Sequence, residues 1–123
     1  MHIRRVASRA RSVPDRLSVP LSDYQSAASR TANPALSEED RLLDAAAGLA
    51  EEGGEVLALI RKHRFQGRAL DRDEVIIELG DALWCLATVA SSLGVTLDEI
   101  ADRNIAKLRA RHADGFSNAG KEP

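Results

Sequence analysis

Repeated signals for the start and end of helices punctuate this chain from Ser37 onward. Three segments open with a small capping residue followed three positions later by an acid, the arrangement that satisfies the free amides at a helix start. These pairs are Ser37 with Asp40, Asp71 with Glu74, and Thr96 with Glu99. Glycines at 67, 94 and 115 stand where a helix needs a left-handed residue to end. The pattern predicts helices over 37–64, 72–92 and 97–112.

A shorter helix over 21–31, closed by Asn33-Pro34, is expected to precede them. Little of the chain is left for strands, so the predicted fold class is all-α with four helices. The chain has 123 residues, of which 44% are hydrophobic and only 3% aromatic. We therefore expect one small domain with an aliphatic core.

The net charge of −2 hides an uneven distribution along the chain. Residues 1–36 contain six Arg and two Asp, whereas residues 37–123 contain 11 basic and 17 acidic residues. A general nucleic-acid-binding protein is normally strongly basic, so we expect no nucleic-acid partner. The acidic part of the chain could bind phosphates only with the help of cations.

The single cysteine and the absence of long apolar runs bear on the compartment. Cys85 cannot form an internal disulfide, and no run approaches 18 uninterrupted apolar residues. A cytoplasmic protein without a membrane segment is the simplest interpretation. Residues 1–20, rich in Arg and Ser, superficially match a transit peptide, but a disordered basic tail is favoured. The predicted domain covers residues 21–117, with a short tail at 118–123.

Carboxylates recur on two of the predicted helices, which a loop of six to seven residues joins into an antiparallel hairpin. Apolar positions predict a core stripe on each helix. The stripes contain Leu42, Ala46, Leu49, Val56 and Ile60 on one helix, and Val75, Leu79, Leu83, Leu86, Ala90 and Leu93 on the other. Glu52 and Glu55, and likewise Glu78 and Asp81, are predicted to flank these stripes on the same side of the hairpin.

Four carboxylates along one edge would repel one another without a counter-ion. A divalent cation resolves this conflict, and oxygen ligands without His or Cys favour Mg²⁺, with Mn²⁺ as a substitute. The alternative is a solvated acidic face. Gly53 and Gly54 favour the metal hypothesis, because a glycine pair inside a helix is costly and suggests close approach by another helix or a ligand.

The last predicted helix carries the opposite charge. Asn104, Lys107 and Arg111 follow one another at spacings of three and four, so they share one side of the helix. Two cations and an amide beside a metal site suit a polyphosphate. The alternative is that basic residues in the last turn only complement the helix dipole.

Together these residues resemble the MazG-like all-α nucleoside triphosphate pyrophosphohydrolases. The resemblance rests on GLAEEGGEVLALIRKH followed by ELGDALWCLATVASSLGVTLDEIADRNIAKLRARHADGF. The family pattern is EExxE, a spacer, then ExxD, and here 22 residues separate Glu55 from Glu78. The similarity extends over about residues 21–117, including Tyr24 in LSDYQ.

The resemblance implies hydrolysis of a nucleoside triphosphate between the α and β phosphates, with Mg²⁺ as cofactor. It implies a four-helix MazG-like bundle completed by oligomerisation, as a homodimer or homotetramer. By position, the metal ligands would be Glu52, Glu55, Glu78 and Asp81, and Glu51 or Glu55 would accept the proton from water. Substrate would contact Asn104, Lys107, Arg111 and Lys62.

The sequence departs from many relatives at Cys85, where a tyrosine usually lines the nucleoside pocket. Base stacking would then depend on Trp84, Tyr24 or Phe65. The alternative is that these rings only pack in the core.

Two other classes of function compete with this hypothesis. A non-catalytic helical module, for oligomerisation or for nucleotide-binding regulation, remains the alternative function. A di-iron carboxylate bundle needs a Glu-x-x-His pair on each of two helices. No histidine in the chain follows a glutamate by three residues, so that class is excluded.

Overall fold

The computed structural model describes residues 18–116. Within them the chain forms four helices and no strand, so the all-α prediction is confirmed. The helices are α1 (Leu21–Ser29), α2 (Glu38–Gln66), α3 (Arg72–Ser92) and α4 (Leu97–Arg111). The predicted tails at 1–20 and 118–123 lie almost entirely outside the described residues.

The predicted caps are present at the starts of the three longer helices. The backbone amides of Asp40, Glu74 and Glu99 donate to the side chains of Ser37 (3.1 Å), Asp71 (3.2 Å) and Thr96 (3.1 Å), respectively. Gly67, Gly94 and Gly115 all have positive φ, at 67°, 69° and 92°. The helices begin and end within about two residues of their predicted bounds, although Gly115 lies beyond the end of α4, whose C-cap is His112. At the starts of the three longer helices and at the end of α2, local hydrogen bonding decides these positions.

The helices α2 and α3 form the predicted antiparallel hairpin, and most of the packing between helices lies there. The predicted stripes are only partly correct, because the buried face of each helix is rotated from the centre of its stripe. The stripe residues that are buried or half-buried are Leu42, Leu49, Val56, Val75, Leu86 and Ala90. Ala45 is buried and Glu52 half-buried, whereas Ile60 and Leu79 are 46% and 52% exposed. On α2, Glu52 lies seven residues, two full turns, beyond Ala45, so both share the face that meets α3. Glu52 thus occupies the seam of the hairpin instead of its flank.

The buried Gln25 side chain links α1 to the C-terminal end of α3 and to the start of α4. The Gln25 side chain donates to Ser91 Oγ (3.1 Å) and to the carbonyl of Val95 (2.9 Å), and accepts from the amide of Leu97 (2.8 Å). A small cluster of buried residues surrounds this contact: Ala28, Ala87, Ala90 and Leu97. Because α4 packs against α1, this cluster also fixes the start of α4.

The helix α3 is long and apolar enough to cross a membrane by length and composition alone. A core helix of a soluble protein meets the same criteria, so they are weak support for a membrane segment. The expectation that the protein has no membrane segment stays a prediction.

Close approach between the helices of the hairpin occurs at Gly48. A Cβ atom at this position would lie 2.8 Å from Cys85 Sγ, and Cys85 is buried. At Gly53 and Gly54 a Cβ atom would meet no described atom within 4 Å. The prediction that this glycine pair marks close approach by another helix is therefore wrong within the described chain, and the pair faces open space.

We expect Gly48→Ala to lower the free energy of unfolding by about 1–2 kcal/mol. Overpacking costs about 1–3 kcal/mol, of which the better helix propensity of Ala offsets up to about 1 kcal/mol. The matched control Gly54→Ala should instead stabilise the chain. Urea denaturation of both variants measures the difference. If Cys85→Ala in the Gly48→Ala background restored no stability, the clash would not be its cause.

Candidate metal centre

Three carboxylates from α2 and α3 converge in the seam of the hairpin. One oxygen from each of Glu52, Glu78 and Asp81 lies within 4.8 Å of the others. Asp81 is exposed, and the other two are half-buried. The convergence follows from helix geometry, since Glu78 and Asp81 are three residues apart and so are neighbours on one side of α3.

One oxygen of this group lacks a partner. Glu52 Oε2 is buried and accepts no hydrogen bond from any described residue. A buried carboxylate oxygen normally has a donor or a cation next to it. An all-oxygen set with one orphaned acceptor fits a hard divalent cation such as Mg²⁺ or Mn²⁺.

The crowding of acids changes the protonation of Glu52. When one of the two groups carries a proton, Glu52 and Glu78 can share a hydrogen bond, and this raises the pKa of Glu52 from 4.5 to about 7; desolvation adds to the effect. The negative charges of Glu78, Asp81 and Glu51 act in the same direction. At neutral pH a cation would therefore compete with a proton for this site.

This shift predicts how the stability of the metal-free protein depends on pH. Because the folded-state pKa of Glu52 exceeds its ordinary value, its protonation stabilises the fold. That contribution is complete below about pH 4.5 and is lost as the pH rises through 7. In a chelating buffer, Glu52→Gln should flatten the decline of Tm between pH 5 and pH 8 and raise Tm at pH 8.

The control for this measurement is Asp102→Asn, which removes an exposed carboxylate from α4. It should leave the decline of Tm unchanged. An equally steep decline in Glu52→Gln would show that Glu52 does not carry the pH dependence.

The other predicted acids lie near the group without joining it. Glu51 is exposed, and its charge contributes to the raised pKa of Glu52. Glu55 is also exposed, one turn beyond Glu52, and its oxygens are not among the three that converge. The roles of Glu51 and Glu55 as base or ligand stay predictions.

The three predicted aromatic side chains lie in different surroundings. Tyr24 packs on the buried cluster of Ala28, Ala87, Ala90 and Leu97. Burial is the main cause that raises the pKa of Tyr24 above its ordinary value of 10.0, and the charges of Asp81 and Cys85 act in the same direction. The indole Nε1 of Trp84 donates to Thr31 Oγ1 at 2.7 Å, which fixes the ring against the end of α1. Phe65 is 76% exposed near the end of α2.

The predicted phosphate-binding residues are not gathered around the carboxylates. Asn104, Lys107 and Arg111 are exposed on α4, and α4 packs mainly against α1, away from the α2–α3 hairpin that carries the acids. Lys62 is half-buried and lines a pocket at the hairpin turn together with Arg68 and Glu74. Their contacts with substrate stay predictions.

One residue with a distinctive environment was missed by the sequence argument. Arg41 lines a pocket between α1, α2 and α3, and its buried Nε has no acceptor among the described residues. The sequence does contain a signal for this placement. Arg41 lies 11 residues, or three helical turns, before Glu52, so the two residues share one face of α2.

Comparisons with known proteins identify the family of this chain. Residues 41–116 match the model of the MazG nucleotide pyrophosphohydrolase domain. The Gene 37 protein of Mycobacterium phage L5 is 34% identical over 72 residues, which cover 55% of this chain and 63% of that protein. The chain thus spans less than two thirds of this relative's length. No solved structure shows a significant match.

Proposed function

Because this chain belongs to the MazG nucleotide pyrophosphohydrolase domain family, we propose that it hydrolyses nucleoside triphosphates between the α and β phosphates. The products would be the nucleoside monophosphate and pyrophosphate. The family points to a hydrolase acting on nucleotides. The observation that best supports this reaction is the convergence of the carboxylates of Glu52, Glu78 and Asp81. Within this group the buried Glu52 Oε2 has no hydrogen-bond partner among the described residues.

Glu52, Glu78 and Asp81 would hold Mg²⁺, with Glu55 as a further ligand from the next turn of α2. When bound, the ion supplies positive charge that neutralises phosphate oxygens and lowers the pKa of a water molecule. The family is metal-dependent, which supports this assignment, and the oxygen-only donor set favours Mg²⁺ over zinc.

The chain's own residues would complete the reaction. A water oxygen would attack the α phosphorus. The bond from this phosphorus to the oxygen that bridges the α and β phosphates would break, and pyrophosphate would leave. Glu51 or Glu55 would accept the proton from water, since both are exposed carboxylates beside the cluster. Lys62, Asn104, Lys107 and Arg111 would bind the phosphates, while Tyr24 and Trp84 would contact the nucleoside.

We also propose that the protein forms a homodimer through one side of the hairpin. Ile76, Leu79 and Leu83 recur at spacings of three and four along α3 and are 57%, 52% and 37% exposed. Leu57 and Ile60 on α2 are 65% and 46% exposed. An apolar surface of this kind usually packs against another protein, and a second copy is the commonest partner.

This apolar surface points away from the candidate metal centre. Asp81 lies two residues from both Leu79 and Leu83, which is about 200° around the helix. A second copy could therefore cover the leucines without covering the carboxylates. A homotetramer remains the other expected assembly.

Product analysis tests the proposed reaction. The full chain is incubated with Mg²⁺ and each natural nucleoside triphosphate, and phosphorus NMR identifies the products. Pyrophosphate with the monophosphate is the expected result, and a chelator should abolish it. Orthophosphate with the diphosphate would indicate a different hydrolase. No turnover by a folded, metal-loaded protein would favour the alternative, a non-catalytic oligomerisation or regulatory module.

A further inference from the structure

A second polar pocket lies along the same helix faces as the carboxylates. It has a volume of about 260 Å³ and is bordered by the end of α1, the start of α2 and the end of α3. Thr88 in its wall is seven residues from Asp81, which is two turns and about 10 Å along one face of α3. A ligand anchored at the carboxylates could extend into this pocket.

Arg41 is the distinctive group of the pocket. One terminal nitrogen of its guanidinium donates to the carbonyls of Asn33 (3.1 Å) and Leu36 (3.3 Å), which holds the side chain in place. Its Nε–H is buried and has no acceptor among the described residues. A buried donor without an acceptor is costly, so a ligand that supplies an acceptor would be favoured.

The hydroxyl groups around Arg41 are mostly committed to the protein. Thr88 Oγ1 donates to the carbonyl of Trp84 at 2.9 Å, and Ser29 Oγ donates to the carbonyl of Gln25 at 2.9 Å. Ser91 Oγ accepts from Gln25 Nε2. Arg41 therefore supplies the buried donor of the pocket, and Glu38 adds an exposed carboxylate.

The size and chemistry of the pocket match one part of a nucleotide. Pockets that hold a whole drug-sized ligand measure roughly 300–1,000 Å³, so this pocket suits a fragment such as a base. When the sugar and phosphates lie at the carboxylates, the edge of the base farthest from the sugar enters the pocket. That edge carries the substituent at C4 of a pyrimidine or C6 of a purine. That substituent is a carbonyl acceptor in uracil, thymine and guanine, and an amino donor in cytosine and adenine.

We propose that this pocket binds the nucleotide base and that Arg41 selects bases with a carbonyl at that position. The Arg41 Nε–H would donate to the carbonyl, and the Glu38 carboxylate would accept from the adjacent ring N–H. An amino group would instead meet a second donor. The inference rests on the proposed function, because the phosphates must be held at the candidate metal centre for the base to reach Arg41.

Binding of analogues that resist cleavage tests the base preference separately from the reaction. We use dUTP and dCTP in which an imido group replaces the oxygen bridging the α and β phosphates, and measure Kd by calorimetry with Mg²⁺. The dUTP analogue should bind about 10- to 100-fold more tightly, as expected for one charged hydrogen bond. The corresponding analogues of dITP and dATP should differ in the same direction.

The variant Arg41→Gln should reduce the preference to less than about threefold. The control Arg103→Gln, which removes an exposed arginine of α4 that pairs with Glu99, should preserve it. If Arg41→Gln does not fold, the Kd values of the two analogue pairs for the unaltered protein still test the base preference. Equal binding of the two bases in each pair, or tighter binding of the amino base, would overturn the proposal.

Hydrolysis of unmodified dUTP is measured in parallel. A base preference without hydrolysis would support this pocket and contradict the proposed reaction. Hydrolysis without a base preference would contradict the role of Arg41 and leave the reaction supported.

Discussion

Replacing Asp81 with Asn is expected to lower kcat/KM for nucleotide hydrolysis on the order of 1,000-fold or more. The substitution keeps the size of the side chain but removes one of the three negative charges that converge on a single point. Asn is a weaker ligand for a hard cation, so both metal binding and the stabilisation of phosphate charge should suffer. Steady-state assays over a range of Mg²⁺ concentrations measure the loss.

The folded state should not suffer in the same way. Without metal, Asp81 repels Glu52 and helps to raise its pKa, so Asp81→Asn should keep or raise Tm in a chelating buffer. Asp102→Asn is the matched control and should retain full activity. Glu55→Gln should also lose metal-dependent turnover if Glu55 is the fourth ligand. Full activity in Asp81→Asn would show that the metal lies elsewhere.

The sequence could predict where each helix begins and ends because those signals are local. Ser37, Asp71 and Thr96 cap amides only three residues away, and Gly67 ends α2 through its own backbone conformation. No distant contact is needed to determine these positions. The spacing of Glu78 and Asp81 likewise defined one side of α3 before any packing was known.

The rotation of the helices could not be predicted in the same way. A periodic apolar pattern marks all the surface that avoids water, including surface that a second copy would cover. Leu79 and Ile60 were therefore assigned to the core of one chain, although both are substantially exposed in it. The actual seam contains Gly48 and Glu52, whose residue types give no hydrophobic signal.

The burial of the candidate site residues could not be predicted for the same reason. Glu52 was expected beside the core and instead lies in the seam, which explains its buried oxygen and raised pKa. The placement of Arg41 depends on the path of the link from α1 to α2, whose carbonyls at Asn33 and Leu36 hold its guanidinium. Such a path is set by tertiary contacts that a single sequence does not encode locally.

Placing a charge on the exposed side of the hairpin should separate the proposed dimer. Leu79→Asp would bury a carboxylate in an apolar interface, and an unpaired charge there costs several kcal/mol. We expect a monomer by light scattering at concentrations where the unaltered protein is a dimer. Because dimer stability depends on protein concentration, Tm should also lose its rise with concentration.

The control for Leu79→Asp is Val19→Asp, which adds the same charge at a 63% exposed position before α1. It should leave the mass unchanged. Helical content measured by circular dichroism shows whether the separated monomer keeps its fold, since the contacts of Gln25 with Ser91 and Leu97 lie within one chain. An unchanged dimer in Leu79→Asp would place the interface elsewhere, and a monomeric unaltered protein would contradict the dimer itself.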